Sequence, residues 1–125
     1  MKHEFDLVDG IILQGNLYKK VTIFPLNAEH YDAVEALVES QLQQLQHQEG
    51  FNLVNDSHYQ ALRGHMLLNE CAATSTSHIG DVEVEMLFKD FCDLNISAQD
   101  WLVILTANLA VTEYYADSDS YVMTA

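Results

Sequence analysis

Six histidines, two cysteines and nineteen acidic residues are the groups in this 125-residue chain with the means to do chemistry. Histidines read first as metal ligands. On a helix, two ligands of one ion must stand three or four residues apart, where side chains meet on one face. His30, His47, His58 and His65 have no His, Cys, Asp or Glu at those offsets. His58 and His65 share a face, but two helical turns hold them about 10 Å apart, too far for one ion. His78 and Asp81 lie close in sequence but in a loop-like segment, and Cys71 would join them only through tertiary folding. Ordinary surface or half-buried histidines are the simpler reading, so no metal and no cofactor are expected.

Catalytic patterns are equally thin. No GxSxG, P-loop, GxGxxG or HExxH occurs. Glu83 with Glu85, or Asp117 with Asp119, could do acid–base work, but close pairs in an acidic chain are far more often solvated charge. Cys92 stands between Phe91 and Asp93, and a neighbouring carboxylate disfavours the nucleophilic thiolate. No catalytic residue is expected, and the chain reads as a non-enzyme. Both cysteines keep apolar company in sequence, Cys71 after Leu67-Leu68 and Cys92 after Phe88 and Phe91. That suits buried, reduced thiols in a cytoplasmic protein.

The formal net charge is −14, yet 49% of the residues are hydrophobic, so this is not the composition of a solvated acidic tail. Such charge repels itself and is tolerated for solubility or for a partner. The five basic residues are scattered, which makes nucleic acid a poor partner. The start, Met1 to Asp6, lacks an apolar signal core. The longest apolar stretch, Trp101 to Val111, is about half the roughly 20 residues that span a bilayer. A soluble protein of the cytoplasm, with no membrane partner, is the expectation.

The elements that would position any site make one α+β domain over residues 1–116: an N-terminal antiparallel β-hairpin and a bundle of about four helices. The hairpin, residues 4–24, rests on alternation around Phe5 and Leu7, a turn with positive φ at Asp9-Gly10, a second turn signal at Gly15-Asn16, and Val21 and Ile23 before Pro25. Asn27 is placed to cap a helix over residues 28–48, with Tyr31, Val34, Leu37, Val38, Leu42 and Leu45 on its apolar face and Gly50 as its stop. After a connector at residues 51–56, Ser57 to Gln60 has capping-box form and opens a helix over residues 57–73, lined by Tyr59, Leu62, Met66 and Ala73. Thr74 to His78 reads as a loop. Residues 81–93 carry two patterns. Val82, Val84 and Met86 alternate with Glu83 and Glu85 as in a strand, while Val84, Leu87, Phe88, Phe91 and Leu94 keep the longer helical series, which predicts a third helix. The tail, residues 117–125, is expected to be mobile and acidic.

Ser97 and Asp100 form a second capping signal and open the last helix, residues 98–115. Trp101, Leu105 and Tyr115 share one face, Val103, Ala107, Ala110 and Tyr114 another, with Leu102 and Leu109 between. A helix apolar all round must be covered on all sides. A contact with another chain, a partner's or a second copy's, would supply the missing cover. Trp101, Leu102, Leu105, Leu109 and Tyr115 are therefore the expected protein-interaction residues.

The order Phe5-Asp6-Leu7-Val8-Asp9-Gly10, then Val21-Thr22-Ile23 and Pro25, then Asn27 to Val34, and much later Ile96-Ser97-Ala98-Gln99-Asp100, resembles the tail assembly chaperone family of Mu-like and related long-tailed bacteriophages. The resemblance spans residues 4–115 through short pieces in a fixed order. Ile96 stands where the family has Leu, and residues 71–93 carry none of its motifs. It implies a small non-enzymatic phage or prophage protein that coats the helical tape measure protein in the bacterial cytoplasm before the tail tube forms. Two rivals stand beside it. An acidic mimic of nucleic acid would inhibit a DNA-binding enzyme, but needs its acids in rows on one face, and here they are spread. A small metal-binding domain would have to assemble its site from separate histidines.

Overall fold

The computed structural model describes residues 3–49 and 56–118. Gln14 and Gly15, both at positive φ (54° and 81°), turn the chain back in two residues and pair Leu13 with Asn16. That geometry matches the twist of the strands it joins, and it makes an antiparallel hairpin of β1 (His3–Leu13) and β2 (Asn16–Ile23). Then follow α1 (Ala28–Glu49), α2 (Asp56–Ser75), β3 (Thr76–Ile79), β4 (Val82–Glu83), α3 (Phe88–Asp93) and α4 (Ala98–Ser118). The protein is α+β, as its sequence indicates.

The sheet is larger than the expected hairpin. β3 and β4 extend it to four antiparallel strands in the order β1-β2-β3-β4, so the α1–α2 pair is an insertion between neighbouring strands. The Thr74–His78 segment is therefore not a loop. Thr74 and Ser75 end α2, the Ser75 and Thr76 hydroxyls donate to the Ala72 carbonyl at 3.0 Å each, and Thr76 begins β3. A run of small hydroxyl residues looks like a loop when its partner strand is invisible, and here β2 pairs Val21 with Ile79 and Thr22 with His78.

The third helix is shorter than the expected 81–93. Gly80, at φ 63°, makes a tight turn that pairs Ile79 with Val82, so the alternating pattern prevails at Val82–Glu83. Helical spacing holds only from Phe88, where Phe91 is buried. The other helices lie within three residues of their expected bounds. Residues 117 and 118 belong to α4, while 119–125, Gly50 and the connector at 51–55 lie outside the described residues.

Two hydrophobic clusters form. The larger joins Leu7 and Ile11 of β1, Val21 and Ile23 of β2, Ile79 of β3, Ala72 and Ala73 of α2, Phe91 of α3, and Ile104, Ala107 and Val111 of α4. The smaller gathers Val34, Val38 and Leu42 of α1 against Leu67 of α2, with Tyr59, Leu62 and Met66 at its margin. Asn27 caps α1 as expected, its Oδ1 accepting from the His30 amide at 2.8 Å.

Candidate protein-interaction site

The orientation of α4 is set by one buried carboxylate. Ser97 caps the helix, its hydroxyl accepting from the Asp100 amide at 3.1 Å. In a capping box the acid at that position turns back to the capping residue's own amide. Asp100 instead reaches across to β1. Its Oδ1 accepts from the Val8 amide at 2.6 Å and its Oδ2 from the Asp9 and Gly10 amides at 3.0 and 2.8 Å. Asp100 is completely buried.

Those amides are free because β1 bulges there. Asp6 pairs with Lys20 and Ile11 with Tyr18, so Leu7, Val8, Asp9 and Gly10 lie opposite Lys19 alone. The bulge depends on Gly10, at φ 93°, where a Cβ would come within 2.7 Å of Leu17 Cδ1 and 2.9 Å of the Tyr18 carbonyl. Three successive amides pointing at one spot make an anion-binding concavity, and the carboxylate filling it also sits in the first turn of α4, where the helix dipole favours negative charge. Asp9-Gly10 is thus a positive-φ site, as its sequence suggests, but it makes a docking bulge rather than a hairpin turn.

With α4 held this way, Asp100, Ile104, Ala107, Asn108 and Val111 face inward. Asn108 ties α4 to α2, its Nδ2 donating to the Ser75 hydroxyl at 2.8 Å. The sheet and α2 therefore cover much of the surface that the sequence leaves without cover. Trp101 is half-buried against α3, its ring 5.0 Å from Phe88 and 5.5 Å from Phe91 between centroids. Leu105 packs partly against the larger core. Leu102 and Leu109 stay in solvent at 61% and 47% exposure. Tyr115 belongs to α4, and its side chain lies outside the described residues. Of the expected interaction residues, Leu102 and Leu109 thus present free apolar surface.

Leu109 borders a feature that no sequence pattern reveals, a groove of about 410 Å³ where α1, α2 and α4 meet. Leu26 and Tyr31 form one wall, Gly64, Leu67, Leu68 and Cys71 the floor, and Asn108, Leu109 and Thr112 the other wall. No lining residue carries charge, although the chain has nineteen acids. The Cys71 thiol is half-buried there, and burial, with the nearby Glu70 carboxylate second, pushes its pKa up, so it stays a neutral apolar wall. Cys92 departs from expectation: it is exposed on α3. The Phe88 and Phe91 that make its neighbourhood look apolar in sequence point their rings at Trp101 instead.

Ionic bonds also tie α1, which carries the Tyr31 wall, to α2. Arg63 of α2 bridges Glu35 and Glu39 of α1, and the Tyr59 hydroxyl donates to Glu39 at 2.8 Å. Hydrogen bonds from Arg63 first and Tyr59 second hold the Glu39 carboxyl below its usual range, and Glu39 in turn pushes the Tyr59 pKa up. Deeper in, the buried Glu70 accepts from the Phe88 amide at 3.3 Å and from Gln41 Nε2 at 3.4 Å, joining α2 to α3 and α1.

Among the described residues, no group of three His, Cys, Asp or Glu is placed to share a metal ion. No helix among them is long and apolar enough to cross a membrane. No protein-family model, curated protein or solved structure matches the chain.

Proposed function

We propose that the protein is a non-enzymatic tail assembly chaperone of a phage or prophage. In this reading it holds an apolar helical segment of the tape measure protein in solution, in the bacterial host cytoplasm, until the tail tube forms around it. The observation that carries the reading is the exposure of Leu102 and Leu109 on the outer side of α4, with Leu109 bordering a groove without charged lining. Exposed apolar surface rimmed by polar residues marks contact sites on otherwise polar proteins. The net charge of −14 supports it as well, since it keeps copies apart while that surface is open. A nucleic-acid mimic needs its acids free and in rows. Here Asp6, Glu35, Glu39, Glu70, Asp90 and Asp100 are bound within the chain.

The test begins with the neighbouring genes, where the reading expects a long helical tape measure protein, and continues with co-expression of the two. The expected result is a soluble complex that co-elutes, and its loss in the Leu102→Glu/Leu109→Glu double variant with circular dichroism unchanged. A tape measure protein that is no more soluble with this chain than without it would defeat the reading.

A further inference from the structure

Gly64 meets no other part of the protein among the described residues. It lies in the interior of α2, where glycine weakens a helix. Its φ is not positive, and nothing lies within 4 Å of where its Cβ would be. A helical glycine is useful where it lets another backbone approach, and among the described residues none approaches. Yet Gly64 lies on the floor of the α1–α2–α4 groove, beside Leu67 and Leu68.

We infer that Gly64 is the point of close approach for one amphipathic helix of a partner protein, docked in this groove and bordered along its apolar stripe by Lys or Arg. The inference rests on the chaperone reading and names the chemistry of the helix that is masked. The groove's 410 Å³ falls within the range of ligand-holding clefts, about 300–1,000 Å³. Its uncharged lining suits the i, i+3, i+4, i+7 anchors of a helix laid in a groove.

The basic border follows from the charges beside the lining. Glu113 stands four residues after Leu109, on the same face of α4, and Asp32 neighbours Tyr31 in α1; both are exposed without an ion pair among the described residues. The described bases are elsewhere or engaged: Lys19 and Lys20 in β2, Lys89 in α3, and Arg63 bound to Glu35 and Glu39. A helix bordered by acids meets like charge, and one bordered by bases meets its complement.

Two synthetic amphipathic helices of about 18 residues, five turns, separate the claims. Both carry the same Leu/Ala stripe, one bordered by Lys and the other by Glu. Binding to the full chain is read by fluorescence anisotropy at about 0.15 M salt, where the Debye length is about 8 Å and diffuse attraction is screened. The expected result is that the Lys-bordered peptide binds, and that the Glu-bordered one binds roughly tenfold more weakly or not at all. Gly64→Leu fills the floor, and it should weaken the Lys-bordered peptide by roughly tenfold or more while the melting temperature holds or rises. Equal binding of both peptides overturns the basic border. Undiminished binding to Gly64→Leu overturns the groove. Should Gly64→Leu melt lower than the parent, Leu109→Glu, at an exposed position on another helix, decides the same question. If the Lys-bordered peptide fails while the tape measure protein still co-elutes, this inference falls alone. If both fail, the chaperone reading falls with it.

Discussion

The two halves of the molecule are held together by different physics. On one side, α4 and the sheet supply eight of the eleven residues of the larger buried cluster, and a carboxylate with no solvent exposure takes amides from three successive residues. On the other, α1 leans on α2 through a cluster of four buried residues and an arginine bridge at the surface. The first arrangement resists salt and tolerates little movement. The second is screened by salt and has less apolar area to lose. The groove lies along the seam between them, with one wall on the firm half and the other on the looser one.

The contrast is broken most sharply at Asp100. Asp100→Ala strands three amides that were bonded to a charged group, at a cost of about 3 kcal/mol or more, a large share of the about 5–15 kcal/mol of a typical domain. Asp100→Asn should cost less but still destabilise, because an amide nitrogen then faces donors. Chemical denaturation measures both, and a loss under about 1 kcal/mol for the alanine variant would show that Asp100 is no clamp. Leu42→Ala in the looser half should cost about 2–4 kcal/mol by cavity formation. Its signature is local: hydrogen exchange quickens through α1 while β2 amides keep their protection. Uniform loss across both halves would show that they unfold as one.

Next comes Gly10→Ala. The added Cβ meets Leu17 and the Tyr18 carbonyl at a positive φ, so a loss of about 1–3 kcal/mol in the same denaturation experiment is expected. The smallest effect belongs to the surface bridge. Arg63→Ala should lower the melting temperature slightly, and more at low salt than at high salt. The pH dependence has two limbs. Glu39 has a folded pKa lowered from 4.5, so its stabilisation is full above pH 4.5 and fades as pH falls through the lowered value. Tyr59 has a folded pKa raised from 10.0, so its share is full below pH 10.0 and fades as pH rises through the raised value. Glu39→Gln should flatten both limbs in melting curves taken across pH.

Local signals are readable where a residue acts on its own neighbourhood. The Asn27 cap, the α1 stripe of Val34, Val38 and Leu42, and the Ser97 cap all follow from spacing within one turn or a few. What escapes depends on partners distant in sequence. Asp100 reads as half of a capping box, and only folding brings the bulge 90 residues away into reach. Thr74 to His78 reads as loop until β2 lies beside its second half. The surplus apolar surface of α4 is visible in sequence, but how much of it the sheet covers is not, so Trp101 and Leu105 look as free as Leu102 and Leu109. Gly64 is legible only as an ordinary helical glycine, since its significance lies in the space around it.

The most direct test of the proposed function is hydrogen exchange across the chain, alone and with its proposed partner, a tape measure protein. Slowed exchange is expected through α1, the Gly64–Cys71 stretch of α2 and the Leu109–Thr112 stretch of α4, with the β1–β2 hairpin unchanged. Protection confined to the hairpin around Ile12 and Leu17, which are also exposed and apolar, with α2 and α4 unaltered, would contradict the chaperone groove.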